Sequence, residues 1–490
     1  MRQLLKRLIR MTAGYGMIQW AGPLLSFIFT PIITRILTPG DYGIADYLLT
    51  INSALATLAA FAVPQSLTAH YNDRPDSEWK RTIAGSALVG VLPIAVVTGL
   101  GLIVFAPQIV QSAFNNQAYV PLLQLLGATF GIGVGGAVIA TAAQADLRVR
   151  WGMAIGLTNI LFTVSGNVLF IVVLRLGVTG MILTPVVTGT ASALVAYLFG
   201  RSLIGRPTWK VIKQVLRSGA VLLPTMLAGW VLQVVDRLFL VHYVTTTELG
   251  HYAIANRIAS LLAVILTPVY GAWTSLALAM QHESGAAQRY ASMARYLVAV
   301  ALIGSTVLGL FATEVLIVFT RTPYLPAAPY VGLLTYMHVF SAVSTTLTIG
   351  GFITKQLKSI SGSVVAGAVV NVVLNMALIP VYGIWGATVA TAISYAVPIV
   401  ILFVRVRSLL PMPYPMRPIV LAMGAQLGLL GLGTLVPAIA FVPRVGLKLL
   451  ILSILPLAFV MTGLITRFEV KHARLFVSHR LRLALARARS

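Results

Sequence analysis

The chain has 490 residues, 58% hydrophobic and 9% charged, with a mean hydropathy of +0.92. A soluble domain carries about 25% charged residues, so this composition excludes a water-facing surface of ordinary kind. The net charge is +24 and there is no cysteine, which excludes disulfides, thiolate catalysis and Cys-bound metal.

Apolar runs of about 20 residues, each able to cross a hydrocarbon core of about 30 Å, recur along the whole chain. They are continuous rather than alternating, which points to an all-α polytopic membrane protein and against a barrel. The opening MRQLLKRLIRM resembles the start of a signal peptide. The run after it is too long and has no small-residue cleavage site, so it reads as a retained first span. Spans are expected near 14–36, 44–69, 82–105, 120–144, 153–174 and 179–200. A basic segment, 201–217, carries Arg201, Arg206, Lys210, Lys213 and Arg217. Six more spans follow near 219–241, 251–279, 296–319, 330–353, 362–380 and 384–404, and two more near 418–440 and 447–466. This divides the chain into an N-terminal lobe (1–200), a basic cytoplasmic linker (201–217), a C-terminal lobe (218–404), two additional spans within 405–466 and a basic tail (467–490). The tail interleaves Leu, Phe and Val with Arg and is expected to lie on an anionic lipid leaflet.

Three connectors repeat in one register. Asp41-Tyr42-Gly43 falls on Glu248-Leu249-Gly250, 207 residues on. Phe105-Ala106-Pro107 falls on Phe311-Ala312-Thr313, and Gly177-x-x-Gly180 on Gly383-x-x-Gly386, each 206 residues on. A membrane unit duplicated with an even number of spans enters the bilayer twice in the same orientation. The two lobes are then related by a pseudo-twofold axis along the membrane normal, with a cavity between them.

The charges test this topology. Seven of the 35 lysines and arginines, Arg35, Arg175, Arg237, Arg257, Arg321, Arg444 and Lys448, fall in spans or outward segments. All the others fall at one set of alternate loops and at the two ends. By the positive-inside rule both termini are cytoplasmic, and an inner-membrane location is expected. Nucleic acid is not an expected partner, because the basic charge follows alternate loops instead of forming a patch.

Charges inside spans are costly, which makes each one a candidate. They are Arg35 at the end of the first span, Asp46 at the start of the second, Asp236-Arg237 late in the seventh, Asn256-Arg257 early in the eighth and Glu314 late in the ninth. The plain reading is interfacial: these residues snorkel, cap helices or pair with one another. Arg237 with Asp46, or Asp236 with Arg257, are candidate ion pairs across the cavity. Adjacent Asp236 and Arg237 point to different helix faces and are expected to take separate partners. Glu314 is expected to be a solvated helix end. His338 reads as a helix-packing residue. Pro23 and Pro31 in the first span and Pro224 in the seventh are candidate hinges. There is no metalloprotease, nucleotide-binding or nucleophile-elbow motif, so neither an enzyme activity nor a metal or cofactor is expected.

The run from Gly22 to Tyr42, with Thr34-Arg35-x-Leu37-Thr38-Pro39-x-Asp41-Tyr42-Gly43, resembles the opening of bacterial polysaccharide transporters. These are the Wzx-like oligosaccharide flippases of the multidrug/oligosaccharidyl-lipid/polysaccharide superfamily. Asp236-Arg237-Leu238-Phe239-Leu240, Gly250-x-Tyr252-Ala253 and Arg257 resemble the start of that family's second half, and Gly383-Ile384-Trp385-Gly386-Ala387 its eleventh-to-twelfth turn. The resemblance covers most of 14–404. It implies a fold of two six-helix repeats plus two helices, about 14 spans in all. It also implies a substrate, a polyprenyl-diphosphate-linked oligosaccharide moved across the cytoplasmic membrane by rocking of the lobes. Arg35, Arg237 and Arg257 are the expected diphosphate contacts, since guanidinium pairs bidentately with phosphate oxygens. Asp46 and Asp236 are the candidate sites for coupling to protons or sodium. Anionic lipids, a glycan polymerase and chain-length machinery are the expected partners. Two rival readings are a drug or organic-cation antiporter of the same superfamily and a non-transporting scaffold for glycan assembly. A membrane enzyme would want a sizeable outward loop with catalytic charge pairs, and the loops here are short.

Overall fold

The computed structural model describes residues 27–409, 413–437, 440–469 and 471. Pro23, the start of the expected first span and most of the basic tail lie outside the described residues. In chain order the helices are α1 (Phe27–Ile36), α2 (Pro39–Ala60, continued by Val63–His70), α3 (Ser77–Phe114), α4 (Gln117–Ala145), α5 (Arg150–Val173), α6 (Val178–Leu203) and α7 (Trp209–Val234). Then come α8 (Thr246–Ala279), α9 (Ala286–Leu310, continued by Ala312–Phe319), α10 (Tyr336–Ile353, preceded by Ala328–Leu334), α11 (Leu357–Tyr382), α12 (Ile384–Arg407), α13 (Met416–Thr434) and α14 (Phe441–Thr462). Twelve of them, all but α1 and α10, are long and apolar enough to cross a bilayer. Outward faces carry bare apolar side chains such as Val97, Val104, Leu198 and Val404, the surface a lipid environment demands.

Helix ends fall beyond the apolar runs because polar caps set them. α3 is the clearest case. Asp76 caps its start by accepting from the Trp79 amide, and Asn115 closes its end in a left-handed turn. The expected linker is shorter than its charges suggest, since Lys210, Lys213 and Arg217 already lie in α7. The start of α7 is sewn to the first lobe. The Gly205 amide donates to the Arg81 carbonyl at 2.9 Å, the Thr208 amide to Ser86 Oγ at 3.1 Å, and Ser66 Oγ to the Val215 carbonyl at 2.9 Å.

The two copies of the repeated turn fold alike. Thr38 caps α2 and Thr245 caps α8, each in a reciprocal box with Asp41 or Glu248 three residues on. The copies then meet each other. A Cβ on Gly43 would lie 2.6 Å from the Gly250 nitrogen, and one on Gly250 would run into the Pro39 carbonyl. Only glycine permits this crossing, and it joins the lobes at this end. Thr34 Oγ1 donates to the Phe319 carbonyl (3.1 Å), Arg321 to the Arg35 carbonyl (3.1 Å) and the Tyr324 hydroxyl to the Leu37 carbonyl (3.0 Å), which completes the closure. The hairpins at Gly177 and Gly383 also match, with φ of +58° and +52°.

α13 and α14 are fastened to the second lobe at three levels. Buried Gln426 of α13 donates to Ser305 Oγ (3.2 Å) and accepts from the Tyr336 hydroxyl. Arg295 forks onto Glu469 at 3.0 and 3.1 Å, and the Tyr296 hydroxyl donates to it at 2.6 Å. Burial raises the cost of ionising Glu469, but the bonds from Tyr296, Thr466 and Arg295 outweigh it and hold the carboxyl below its usual range. The third fastening corrects an expectation. Glu314 is not a solvated helix end. It is 6% exposed, 2.7 Å from Lys448 Nζ and 2.8 Å from Arg444 Nε, both on α14. A carboxylate can be buried here because two cations reach it from a helix more than a hundred residues away.

Candidate functional site: a charged cavity between the lobes

Four cavities share walls and run from one lobe into the other. The central one, about 240 Å³, is lined by Tyr42, Asp46, Asn256 and the side chains of Arg237 and Arg257. Through Tyr42 and Arg257 it meets a cavity of about 370 Å³ in the first lobe, walled by Asn159, Thr163, Asn167, Thr184 and Thr188. Through Arg237, Asn256 and Ser260 it meets one of about 490 Å³ in the second lobe. That chamber shares Gln233, Thr267, Tyr270, Ser341, Thr345 and Tyr395 with a further space of about 600 Å³.

Arg237 sits just past the end of α7, on the short helix Asp236–Leu240, and is 6% exposed. Its Nε donates to Asp46 Oδ2 of α2 at 2.6 Å, and its Nη1 donates to Asp236 Oδ1 at 3.3 Å and to the Gln233 carbonyl at 3.4 Å. The Tyr252 ring lies beneath its guanidinium, 5.6 Å from the ring centre. Asp236 is 2% exposed and also accepts from the Tyr252 hydroxyl and, at 3.4 Å, from Thr391 Oγ1. The expected Arg237–Asp46 pair is therefore present. Asp236 and Arg237, expected to part company, instead bond to each other, because the arginine stem is long enough to fold back. Arg257, on α8, donates from Nε to Thr30 Oγ1 of α1 at 2.9 Å. Neighbouring Asn256 is buried with its Oδ1 unpartnered.

The structure thus brings Asp46 of α2, Asp236 and Arg237 of the short helix after α7, and Arg257 of α8 together, and it leaves Arg35 apart. Arg35 is exposed at the closed end, beyond the cavity walls, with its carbonyl held by Arg321. Pro31 lies between Thr30 and Thr34 in α1, and α7 stays helical through Pro224. The uncharged walls in the second lobe went unread in the sequence. Their signal was a run of hydroxyls on one face of an apolar helix: Ser341, Ser344, Thr345 and Thr348 of α10.

The architecture defines a class. A multidrug-resistance MATE transporter of the MOP superfamily, in an inward-facing conformation, superposes with a TM-score of 0.64 at 16% identity, over 80% of this chain and 96% of its own. The outward-facing conformation of such a transporter gives 0.59 at 17% identity, over 82% and 95%. The lipid II flippase MurJ, in an inward closed conformation, gives 0.68 at 13% identity, over 96% of this chain and 99% of its own. The MATE matches leave out a share of the chain about equal to α13, α14 and the tail, and the MurJ match does not. No curated protein matches the sequence. This is a multi-pass membrane protein of the MATE and MurJ fold.

The family follows from the sequence. The family model described as "Polysaccharide biosynthesis protein" matches residues 8–274, and the chain belongs to that family. The resemblance drawn from the turn motifs and this membership agree.

Proposed function

We propose that the protein is a flippase, not an enzyme, that carries a polyprenyl-diphosphate-linked oligosaccharide across the cytoplasmic membrane for surface polysaccharide biosynthesis. One observation carries this reading: two arginines, Arg237 and Arg257, line a cavity that opens into both lobes, and Arg237 is held there by a carboxylate from the opposite lobe. A diphosphate entering the cavity competes with Asp46 for the Arg237 guanidinium. Its oxygens fit the planar fork at least as well as a carboxylate does. Replacing Asp46 by the ligand exchanges a bond between lobes for a bond to cargo. With that tie released, the contacts at the closed end are the ones left to part as the lobes rock about α1 and α7, with Pro31 and Pro224 as the bends. Pro23 is a third proposed bend. Arg35, at the closed end, is a third proposed diphosphate contact, reached as the cargo leaves.

Family membership supports the polysaccharide context, and the flippase and transporter structures that share the fold support movement as the task. The proposed orientation has both termini cytoplasmic, with the closed end outward. Asp236, buried behind Arg237, is the proposed proton or sodium site, with Asp46 the other. Anionic lipids, a polymerase and chain-length machinery are the proposed partners. The cation-antiporter reading is weaker, because the one carboxylate lining the central cavity, Asp46, is already engaged by Arg237.

The test is flipping of a polyprenyl-diphosphate disaccharide in proteoliposomes. Arg257→Ala is expected to slow it at least about tenfold, the effect of one charge-assisted bond. An unchanged rate removes the diphosphate site. Collapse of flipping with an uncoupler or without sodium supports the coupling assignment, and gradient-independent flipping removes it.

A further inference from the structure

Beyond the arginines the cavity changes character. Among the described residues, the chamber of about 490 Å³ and its extension of about 600 Å³ have no carboxylate in their lining, and Arg237 stands at one edge as the sole charge lining either. Each falls within the ~300–1,000 Å³ that small-ligand sites occupy. Three of the wall hydroxyls have already used their protons. Ser341 Oγ donates to the Met337 carbonyl at 2.7 Å, Thr345 Oγ1 to the Ser341 carbonyl at 2.8 Å and the Tyr270 hydroxyl to the His338 carbonyl at 3.3 Å. A hydroxyl has one proton and two lone pairs, so what these groups offer the chamber is acceptors. His338 Nε2 is buried at the chamber wall with no partner. The rings of Tyr270 and Tyr395 add flat apolar faces. A lipid tail lodged here would leave the buried His338 Nε2 still without a partner, which is unfavourable. Beside Ser341, Thr345 and Tyr270, an acidic sugar would set a carboxylate against acceptors. A neutral sugar brings many hydroxyl donors and one apolar face, and satisfies both kinds of wall.

We propose that this chamber of the second lobe is a subsite for uncharged sugars, holding the neutral glycan next to the diphosphate and discriminating against acidic residues at that position. The proposal rests on the flippase reading and adds the class of glycan to it.

The absence of cysteine gives a direct test. Full-length Ser344→Cys protein in nanodiscs carries a single thiol in the chamber wall. Its alkylation is followed with three probes: bare polyprenyl diphosphate, the same lipid bearing a neutral disaccharide, and the same lipid bearing a disaccharide with one uronic acid. The neutral glycan is expected to slow alkylation at least about fivefold, and the other two are not. Equal protection by the bare lipid overturns the proposal, because the chamber would then hold tail or diphosphate. Equal protection by the uronate overturns the acceptor-wall argument. Protection by none of the probes, with bare-lipid binding that still depends on Arg257, overturns the glycan subsite and leaves the flippase reading standing. Failure of the bare lipid to bind at all overturns both. As a second measurement, Ser341→Ala combined with Thr345→Val is expected to weaken the neutral glycolipid about tenfold and leave the bare lipid unchanged. Equal weakening of both ligands is the contrary result.

Discussion

Two ion clusters differ in what surrounds them. Glu314 with Arg444 and Lys448 ties the end of α9 to α14, within one side of the molecule, and none of the three lines the connected cavities. Arg237 with Asp46 and Asp236 spans both lobes and faces open space. Both pair charges that a membrane interior would otherwise expel. Only the second has a partner, Asp46, that lines a cavity and that the proposed mechanism exchanges for a ligand. Burial of a charge therefore does not mark a site. A paired charge with one replaceable partner and a cavity beside it does.

The contrast is broken or sharpened by substitution. The largest effect is expected from Arg237→Ala, which strands Asp236 without a counter-charge. Breaking a buried pair from one side costs about 3–5 kcal/mol, so thermal melting in detergent should fall furthest here and flipping should be lost. Arg237→Lys keeps the charge and is expected to recover stability but not flipping, because the planar fork is gone. Next is Glu314→Gln, which leaves Arg444 and Lys448 facing each other. A stability loss of about 3 kcal/mol is expected, with flipping per folded molecule unchanged. A selective loss of flipping would erase the distinction between the two clusters. Third, Asp46→Asn frees one side of Arg237. Bare polyprenyl diphosphate is expected to bind about tenfold tighter, a change of about 1.4 kcal/mol, and weaker binding would show that Asp46 does not compete. The smallest perturbation is labelling alone. A cysteine at exposed Thr247 should react from outside intact cells and one at exposed Lys210 only after permeabilisation. The reverse pattern inverts the assigned orientation.

Much of the fold was legible because lipid leaves few choices. Apolar runs announce spans, and the matching turns at Thr38 and Thr245 announce duplication. The Arg237–Asp46 pair was legible because charges in spans are few and need partners. Glu314 was misread for a physical reason: its partners lie on α14, and a distant cation leaves no local trace in the sequence. The bond between Asp236 and Arg237 was hidden by helical geometry, which places neighbours on different faces but takes no account of the reach of a long side chain. The uncharged chamber wall was missed because a serine or threonine bonded to its own helix looks like ordinary apolar filling in a hydropathy profile.

The crossing at Gly43 and Gly250 has a consequence of its own. Each copy of the turn is the other's binding surface, so the contact is self-complementary, as at the dyad of a homodimer. A six-helix half-molecule carrying one such turn already holds both faces of that joint. Two separate halves, expressed together, possess the means to find each other there without a covalent connection.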